Sequence, residues 1–417
     1  MINKRCIVIV LDGFGVGEMP DVPEVRPQDK GANTAGKLLS HFSKQRLPTL
    51  EQLGLNNVVE CSNSIMNFSP KANVGRMHLA HEGGDTFMGH QEIMGTHPEP
   101  PHRAPFSDVI SDVEQQLLNN SYDVNRVYRD GLAMLCVNEA VLIGDNLEAD
   151  LGQVYNLCAN LDQISFSQLR DIAAHVRGCN KASRNIAFGG HVSNLKPLLD
   201  AIQTRQGKYI GLNVPKTGVY DHGFEVIHLG YGVNIKTQVP HQLNDVNTTS
   251  YLYGKVADIV GNPHGVSYPS IVDTTLVFDL LLNDLDNVAH GFFCLNVQET
   301  DLSGHQQDPD QYWRILALAD QGIDAVLEKL TEHDLLVVTA DHGNDPFIGH
   351  SNHTREQVPL LIHHHNVQSK SLSTRTTLAD LGATVCDFFD ASAPESGRSF
   401  LSEITISSTN LDAKSEL

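Results

Sequence analysis

Five short, continuously apolar segments bounded by turn residues constrain the fold of this chain most strongly. They read CIVIVL from residue 6, YLYGKV from residue 251, FFCLNV from residue 292, LLVVTA from residue 335 and PLLIHH from residue 359. Apolar runs of this length without polar alternation are typical of strands that are buried on both faces of a parallel sheet. The sequence therefore predicts an α/β protein with a doubly wound, mostly parallel sheet.

A helix is predicted between the third and the fourth of these segments. Asp308 suits the N-cap position, and Pro309 suits the first helical position. One face of the following stretch is apolar, at Tyr312, Ile315, Leu316, Ala319, Ile323, Val326, Leu327 and Leu330. The order strand, helix, strand is the one expected in a doubly wound sheet.

The pattern of apolar and helical segments changes after about residue 97, which suggests more than one domain. The segment HPEPPHRAPF, which begins at residue 97, interrupts the pattern, and shorter strand-like runs such as RNIAFGG then alternate with helical stretches. A chain of 417 residues is also long for one compact core. We therefore expect a core built from residues 1–97 and 241–406, a smaller α/β cap domain inserted at residues 98–240, and a polar tail at residues 407–417.

Charge and cysteine content exclude several classes of protein. The chain has 50 acidic and 29 basic residues, a net charge of −21, and no clustered basic stretch. Nucleic acid and anionic membrane surfaces are therefore not expected partners. The seven cysteines are scattered and form no Cys-x-x-Cys pair, and no segment approaches membrane-spanning length. A cytoplasmic protein is expected, and a small anionic substrate would need positive charge that metal ions can supply.

The turn after the first strand does not fit a dinucleotide-binding loop. That fingerprint is Gly-x-Gly-x-x-Gly leading into a helix, but here Glu18 stands at the third glycine position and Pro20 follows. What remains is Asp12 at the carboxyl end of a buried strand, where open α/β sheets bind their ligands. Asp12 is therefore either a metal ligand or the cap of a turn.

More potential metal ligands follow the predicted strand ends. Asp301 and His305 come after FFCLNV, and Asp341, His342 and His353 come after LLVVTA. Asp341 and His342 point in different directions, so they either serve two adjacent ions or bind one ion from two sides. Taken alone, an Asp-His pair is more often part of a turn with a satisfied hydrogen bond than a metal site. Together with Asp12, these carboxylates and imidazoles suit a hard to borderline divalent ion, such as manganese, zinc or magnesium.

Thr86 is the candidate nucleophile. It lies in GGDTFMGHQEIMGT, in a predicted glycine-flanked loop that is a poor place for a packed core threonine. A hydroxyl is a weak nucleophile unless a metal ion or a base activates it. The alternative is a threonine that caps a helix or turn.

These residues lie in motifs that resemble the metal-dependent phosphopentomutase family of the alkaline phosphatase superfamily. The similar segments are VLDGFGVGEMPD, GANTAGKL, LPTLEQLGL, DTFMGHQEIMG, GKVADI, TADHGNDPFIGHSNHTREQVP, LADLGATVCDFF and GRSFL. The resemblance implies an alkaline-phosphatase-type core with a cap between its halves and two divalent metal ions, Mn²⁺ first, with Mg²⁺ or Zn²⁺ as alternatives. It also implies that one ion is held by Asp12, Asp341 and His342, the other by Asp301, His305 and His353, and that Thr86 carries the phosphoryl group.

The resemblance implies substrate-binding roles for three more residues, namely Lys255, Asp150 in the cap and, less closely matched, Arg184. The sequence also differs from the family at positions that matter for the substrate. Met88 and Gln91 replace a threonine and a tryptophan, and the stretch QETDLSGHQQD is one residue shorter than in the family and lacks its arginines. The shorter spacing is similar to that of cofactor-independent phosphoglycerate mutases. We expect a divergent phosphomutase acting on a small phosphorylated metabolite, such as a sugar phosphate. The alternatives are a metal-dependent phosphatase or phosphodiesterase and a non-catalytic sugar-phosphate-binding protein.

Overall fold

The computed structural model describes residues 3–100, 102–148, 151–365 and 370–404. Contacts between Cα atoms divide the chain into two compact units, one formed by Met1–Pro98 with Asn234–Leu417 and the other by Glu99–Val233. Sequence texture put the corresponding boundaries at residues 98 and 240. The polar tail predicted at residues 407–417 lies outside the described residues.

The described residues form sixteen strands. They are β1 (Arg5–Leu11), β2 (Asn73–Met77), β3 (Val124–Arg129), β4 (Leu132–Val137), β5 (Val141–Asp145), β6 (Val154–Asn160), β7 (Arg184–Gly190), β8 (Ile202–Arg205), β9 (Tyr209–Leu212), β10 (Glu225–Gly230), β11 (Ser250–Tyr253), β12 (Val266–Tyr268), β13 (Gly291–Val297), β14 (Leu335–Thr339), β15 (Val358–His364) and β16 (Lys370–Ser371).

Fifteen α-helices accompany these strands in the same part of the chain. They are α1 (Val22–Val25), α2 (Thr34–His41), α3 (Pro48–Gln52), α4 (Leu55–Val59), α5 (Thr86–Ile93), α6 (Ile110–Asn119), α7 (Phe166–Arg177), α8 (Lys196–Asp200), α9 (Val239–Asn244), α10 (Lys255–Ile259), α11 (Thr274–Asn287), α12 (Gln298–His305), α13 (Pro309–Lys329), α14 (Ala379–Phe388) and α15 (Leu401–Ile404).

The first unit contains an eight-stranded sheet in the order β12-β11-β13-β1-β14-β15-β2-β16. The pairs from β12 to β14 are parallel, whereas β15 is antiparallel to both of its neighbours, β14 and β2. Every residue of β1, β13 and β14 is buried, because helices cover both faces of the sheet. The predicted α/β class with a mostly parallel sheet is confirmed, but the prediction that PLLIHH is a parallel strand is wrong.

Two further details differ from the predictions. The YLYGKV segment is a strand only as far as Tyr253, because Gly254 turns the chain with a φ of +73° and Lys255 begins α10. Thr86 lies in the first turn of α5 rather than in a loop. The helix predicted after Asp308 is confirmed as α13, since the Asp308 side chain caps it by accepting a hydrogen bond from the Gln311 amide at 2.9 Å.

The strand directions explain why distant segments meet at one edge of this sheet. Parallel strands β11, β13, β1 and β14 have their carboxyl ends on the same edge. The antiparallel strand β15 has its amino end on that edge, so the residues that precede β15 lie there as well. Segments after four strands and before a fifth are therefore brought together.

The second unit has its own sheet in the order β10-β7-β6-β5-β4-β3, and β9 joins β5 and pairs with β8. Its apolar core is formed mainly by β4 to β7 together with α6 and α7, and Phe106, Leu157 and Ile172 are among its fully buried residues. In the described part of the whole chain, no helix combines the length and the apolar character needed to cross a membrane.

Helix α13 supplies a test of the core. Leu316 is 0% exposed, whereas Leu318 on the same helix is 37% exposed. We expect Leu316→Ala to lower the free energy of unfolding by about 2–5 kcal/mol, because it leaves a cavity, and Leu318→Ala to change it by about 0.5 kcal/mol or less. Urea unfolding followed by circular dichroism measures both. Equal midpoints for the two variants would contradict this packing.

Candidate metal centre and active site

The six predicted metal ligands, Asp12, Asp301, His305, Asp341, His342 and His353, meet at this edge of the sheet. Two groups among the described residues have ligand atoms that all lie within 4.8 Å of one another, namely Asp12 with Asp341 and His342, and Asp301 with His342 and His353. The first group is the predicted one. In the second, His342 stands where His305 was predicted, so His342 lies between the two groups.

His305 nevertheless adjoins the second group. Its Nε2 atom lies 3.4 Å from Oδ2 of Asp301 and 3.0 Å from Nε2 of His353. Asp301 is in the first turns of α12, and His305 follows four residues later on the same helix face. The division of the ligands between two ions therefore stays a prediction, while the closeness of all six side chains is a property of the structure.

Two buried atoms in the first group are placed so that they could both bind one cation. Oδ1 of Asp12 and Nε2 of His342 lie 3.4 Å apart, and both residues are 0% exposed. Neither atom has a hydrogen-bond partner among the described residues. A buried polar atom without a partner is costly, and a divalent ion between these atoms would satisfy both.

The three histidines present Nε2 to the site for a common reason. The Nδ1 atoms lie near backbone carbonyl oxygens, that of His342 2.9 Å from Gly343, that of His305 2.6 Å from Ser351 and that of His353 2.6 Å from Gly84. A carbonyl oxygen only accepts hydrogen bonds, so each Nδ1 carries a proton. Such bonds fix the ring and leave Nε2 for a metal ion.

Mutual electrostatics shifts the pKa values of these groups. Burial lowers the pKa of His342, but the neighbouring Asp341 and Asp12 outweigh it and raise the pKa to about 10. Burial and the nearby Asp341 raise the pKa of Asp12, although Lys255 opposes them. Burial opposes ionisation of Asp301, yet Lys255 and the adjacent histidines hold its pKa well below its usual value. The site therefore concentrates negative charge that attracts cations.

Thr86 lies directly beside the first group. Its Oγ1 donates a hydrogen bond to Oδ2 of Asp341 at 2.6 Å. Asp85 caps α5 by accepting from the Met88 amide. A Cβ atom at Gly89 would lie 2.6 Å from the carbonyl oxygen of Asp341, so a glycine at this position lets the helix approach the strand end closely. The helix amino terminus and Asp341 together fix the hydroxyl.

The predicted substrate-binding residues have different outcomes. Lys255 is at the centre, because its Nζ lies 2.6 Å from Oδ2 of Asp12, 3.2 Å from Oδ2 of Asp301 and 3.4 Å from Oγ1 of Thr86. Arg184 begins β7 in the second unit. Asp150 lies outside the described residues. The substrate-binding roles of all three stay predictions.

Arg355 is a residue of the site that the sequence analysis missed. It is 6% exposed, and its guanidinium donates to the carbonyl oxygens of Leu79, His81 and Gly83 and to the carboxylate of Asp21. These carbonyls belong to the segment that leads into α5. Its proximity to His353 in the motif HTRE, two residues away, could have indicated a role in the site. A charged residue in such a motif is, however, normally expected at the protein surface.

Glu356, the next residue, holds a second loop. Its Oε2 accepts from the backbone amides of Gly17 and Thr34 at 3.2 and 2.9 Å, and its Oε1 accepts from the hydroxyls of Thr34 and Thr354, both at 2.7 Å. Burial raises the pKa of Glu356 to about 7, although these hydrogen bonds oppose the shift. The turn after β1, which carries Asp12, is thereby tied to the segment that carries His353.

Comparison with known proteins identifies the family to which the chain belongs. A model described as the metalloenzyme superfamily matches residues 4–393. Among solved structures, the chain is similar to the PH0037 protein of Pyrococcus horikoshii, with 15% identity, a TM-score of 0.44 and coverage of 94% of this chain and 98% of that chain. It is also similar to a phosphoglycerate mutase of Leishmania mexicana, with 12% identity, a TM-score of 0.47 and coverage of 94% and 96%.

The role of Arg355 can be tested by substitution with lysine. Lysine carries the charge but cannot reach three carbonyls and a carboxylate at once. We expect Arg355→Lys to lower the free energy of unfolding by about 3 kcal/mol and to weaken metal binding about tenfold or more. Arg314→Lys, at an exposed position on α13, is the control. Metal affinity of Arg355→Lys equal to that of the control would contradict the role in holding the site.

Glu356 makes stability depend on pH. Its pKa in the folded protein, about 7, lies above the ordinary value of 4.5, so its contribution to stability is present at low pH and is lost as pH rises through about 7. Glutamine can accept from both amides and donate to both hydroxyls. We therefore expect the free energy of unfolding of Glu356→Gln, minus that of wild type, to rise by on the order of 3 kcal/mol between pH 5 and pH 8. Urea unfolding at both pH values measures this gain. The exposed Glu332→Gln is the control, and a parallel pH response in all three proteins would refute the assignment.

Proposed function

Because the chain belongs to the metalloenzyme superfamily, we propose that it is a metal-dependent phosphomutase of the phosphopentomutase type. It moves phosphate between positions of a sugar phosphate through a phosphothreonine at Thr86. The observation that supports this most directly is the position of the Thr86 hydroxyl, which lies 2.6 Å from Oδ2 of Asp341 and 3.4 Å from Nζ of Lys255.

The donor set supports two divalent ions. In this proposal, Asp12, Asp341 and His342 would hold one ion, and Asp301, His305 and His353 would hold the other. Mn²⁺ is the proposed metal, with Mg²⁺ or Zn²⁺ as alternatives, because carboxylates and imidazoles together suit ions of this class. When bound, such ions lower the pKa of a coordinated hydroxyl and offset the negative charge of the phosphoryl oxygens.

The protein side chains then perform the transfer. The carboxylate of Asp341 orients the Thr86 hydroxyl by accepting its hydrogen bond, and the hydroxyl proton is released to solvent. A bond forms between Oγ1 and phosphorus while the bond from phosphorus to the sugar oxygen breaks, and this oxygen takes up a proton from solvent. The ammonium group of Lys255 stabilises the negative charge at Oγ1, since it donates to this atom and remains protonated. Burial would lower the pKa of Lys255, but Asp12 and Asp301 raise it overall.

The second half of the reaction decides between a mutase and a hydrolase. In a mutase, a hydroxyl of the bound sugar phosphate takes the phosphoryl group from Thr86, which gives a bisphosphate, and the other phosphoryl group of this bisphosphate then returns to Thr86. Water has to be excluded during these steps. The second unit, Glu99–Val233, is the proposed cap. Its size is the reason to prefer transfer to a bound alcohol over hydrolysis.

The substrate is proposed to differ from that of typical phosphopentomutases. Residues that would grip a ribose phosphate are changed, since the stretch after β13 lacks the arginines of the family. Gln91, which stands where the family has a tryptophan, makes packing contacts in this structure. It is 2% exposed, donates to the Ile259 carbonyl at 3.0 Å and accepts from the Gln238 amide at 2.5 Å, so it joins α5 to its neighbours. Lys255, Asp150 and Arg184 are the proposed substrate-binding residues.

Product analysis tests this function. Purified protein is incubated with Mn²⁺ and a panel of pentose, hexose and glycerate phosphates, and isomerised phosphate and free phosphate are measured together. We expect isomerisation of at least one compound, loss of activity with EDTA, and a phosphate on Thr86 by mass spectrometry. Thr86→Ala should reduce the rate by about 10³-fold or more, because among the described residues Thr86 supplies the hydroxyl that donates to Asp341.

The outcomes separate the alternatives. Free phosphate without isomerised product would replace the mutase by a phosphatase. Binding of a sugar phosphate without metal, turnover or phosphorylation of Thr86 would indicate a non-catalytic binding protein. Isomerisation that survives Thr86→Ala would exclude the phosphothreonine.

A further inference from the structure

Two polar side chains that no step above uses lie beneath the candidate site. His90, on α5, is 0% exposed, and Asn296, on β13, is 1% exposed. We propose that they form a polar brace that positions Thr86 and both carboxylates of the first ligand group, Asp12 and Asp341. The proposal rests on the function given above for the role of Thr86, whereas its part in metal binding is independent of the reaction catalysed.

His90 contacts the nucleophile and one carboxylate with the same ring atom. Its Nδ1 lies 2.9 Å from the carbonyl oxygen of Thr86 and 3.2 Å from Oδ2 of Asp341. The carbonyl oxygen can only accept a hydrogen bond. Nδ1 therefore carries the proton and holds the first residue of α5 against Asp341.

Asn296 completes the brace from the other side. Its Nδ2 lies 3.0 Å from Oδ2 of Asp12 and 3.0 Å from Nε2 of His90. An amide nitrogen has two hydrogens, so one is donated to each acceptor. The second bond requires Nε2 of His90 to be unprotonated, which agrees with the proton on Nδ1. One strand residue thus fixes both a carboxylate and the tautomer of the histidine.

These contacts determine which carboxylate oxygen of Asp12 faces the candidate metal position. Oδ2 of Asp12 is occupied by Asn296 and by Lys255, while Oδ1 is left without a partner, 3.4 Å from Nε2 of His342. Without the amide, one of the two restraints on this carboxylate disappears. The brace therefore preorganises a ligand and the nucleophile together, in the way that outer-shell groups tune metal sites.

Binding of Co²⁺ in place of the native ion tests the brace without an activity assay. The visible absorption of Co²⁺ reports its coordination, and competition with a chromophoric chelator gives its affinity. We expect His90→Leu and Asn296→Leu to weaken the tighter Co²⁺ site by about 10–100-fold and to change its spectrum. In enzyme assays they should lower kcat while KM changes less than about twofold, because both side chains are buried and have no surface open to a substrate.

A matched control separates positioning from general destabilisation. Asn56, which is 3% exposed, donates to the Met66 carbonyl and accepts from the Cys61 amide, away from the ligands. Asn56→Leu is expected to lower the urea midpoint but to bind Co²⁺ like wild type. His90→Asn and His90→Gln each keep one hydrogen-bonding nitrogen, and their Co²⁺ affinities should fall between those of wild type and His90→Leu.

The proposal fails if the variants of His90 and Asn296 bind Co²⁺ with wild-type affinity and spectrum, or if Asn56→Leu weakens binding as much as they do. If the leucine variants do not fold, His90→Asn and His90→Gln decide, and wild-type behaviour in both would overturn the brace. Weakened Co²⁺ binding in a protein that isomerises no phosphate would refute the proposed function and leave the brace intact.

Discussion

Mutual repulsion of three buried carboxylates is the constraint that the site has to satisfy. Asp12, Asp301 and Asp341 are 0–3% exposed and lie at one sheet edge. One ammonium group, that of Lys255, contacts both Asp12 and Asp301. Charges at such distances interact strongly away from water, and a buried charge needs a partner. The centre therefore needs cations for its own stability, and metal binding and folding of this unit are thermodynamically linked.

The short segment from His353 to Glu356 connects the parts of this centre. His353 is one of the candidate ligands, Arg355 holds the chain that leads to Thr86, and Glu356 holds the turn that carries Asp12. Because these side chains are covalent neighbours, a shift of this segment moves three parts of the site together. A motif of four residues thus links the first strand, the nucleophile helix and the second ligand group.

Much of this could be predicted from the sequence, because the signals were local. Continuous apolar runs predicted β1, β13 and β14, and the cap at Asp308 predicted α13. The predicted ligands met because parallel strands share an edge. The direction of β15 could not be predicted, since an apolar run buried on both faces looks the same in either orientation. It was the antiparallel direction that brought His353, which precedes β15, to the common edge.

Other residues escaped prediction because their roles depend on tertiary contacts. A buried histidine or asparagine gives no periodic signal, so His90 and Asn296 were unremarkable in the sequence although both lie among the ligands. Gln91 is the opposite case. The resemblance put it among the positions that matter for the substrate. In the structure its side-chain amide donates to the Ile259 carbonyl and accepts from Gln238 in the packing around α5.

The separation of the ligands along the chain has a consequence for biosynthesis. Asp12 directly follows β1, and His353 is followed by β15, which ends at His364. A nascent polypeptide still on the ribosome thus exposes its earliest carboxylate long before the last imidazole has been translated. Until β15 inserts between β14 and β2, the growing chain lacks the complete set of candidate ligands, so we expect full metal affinity only after β15 has been translated.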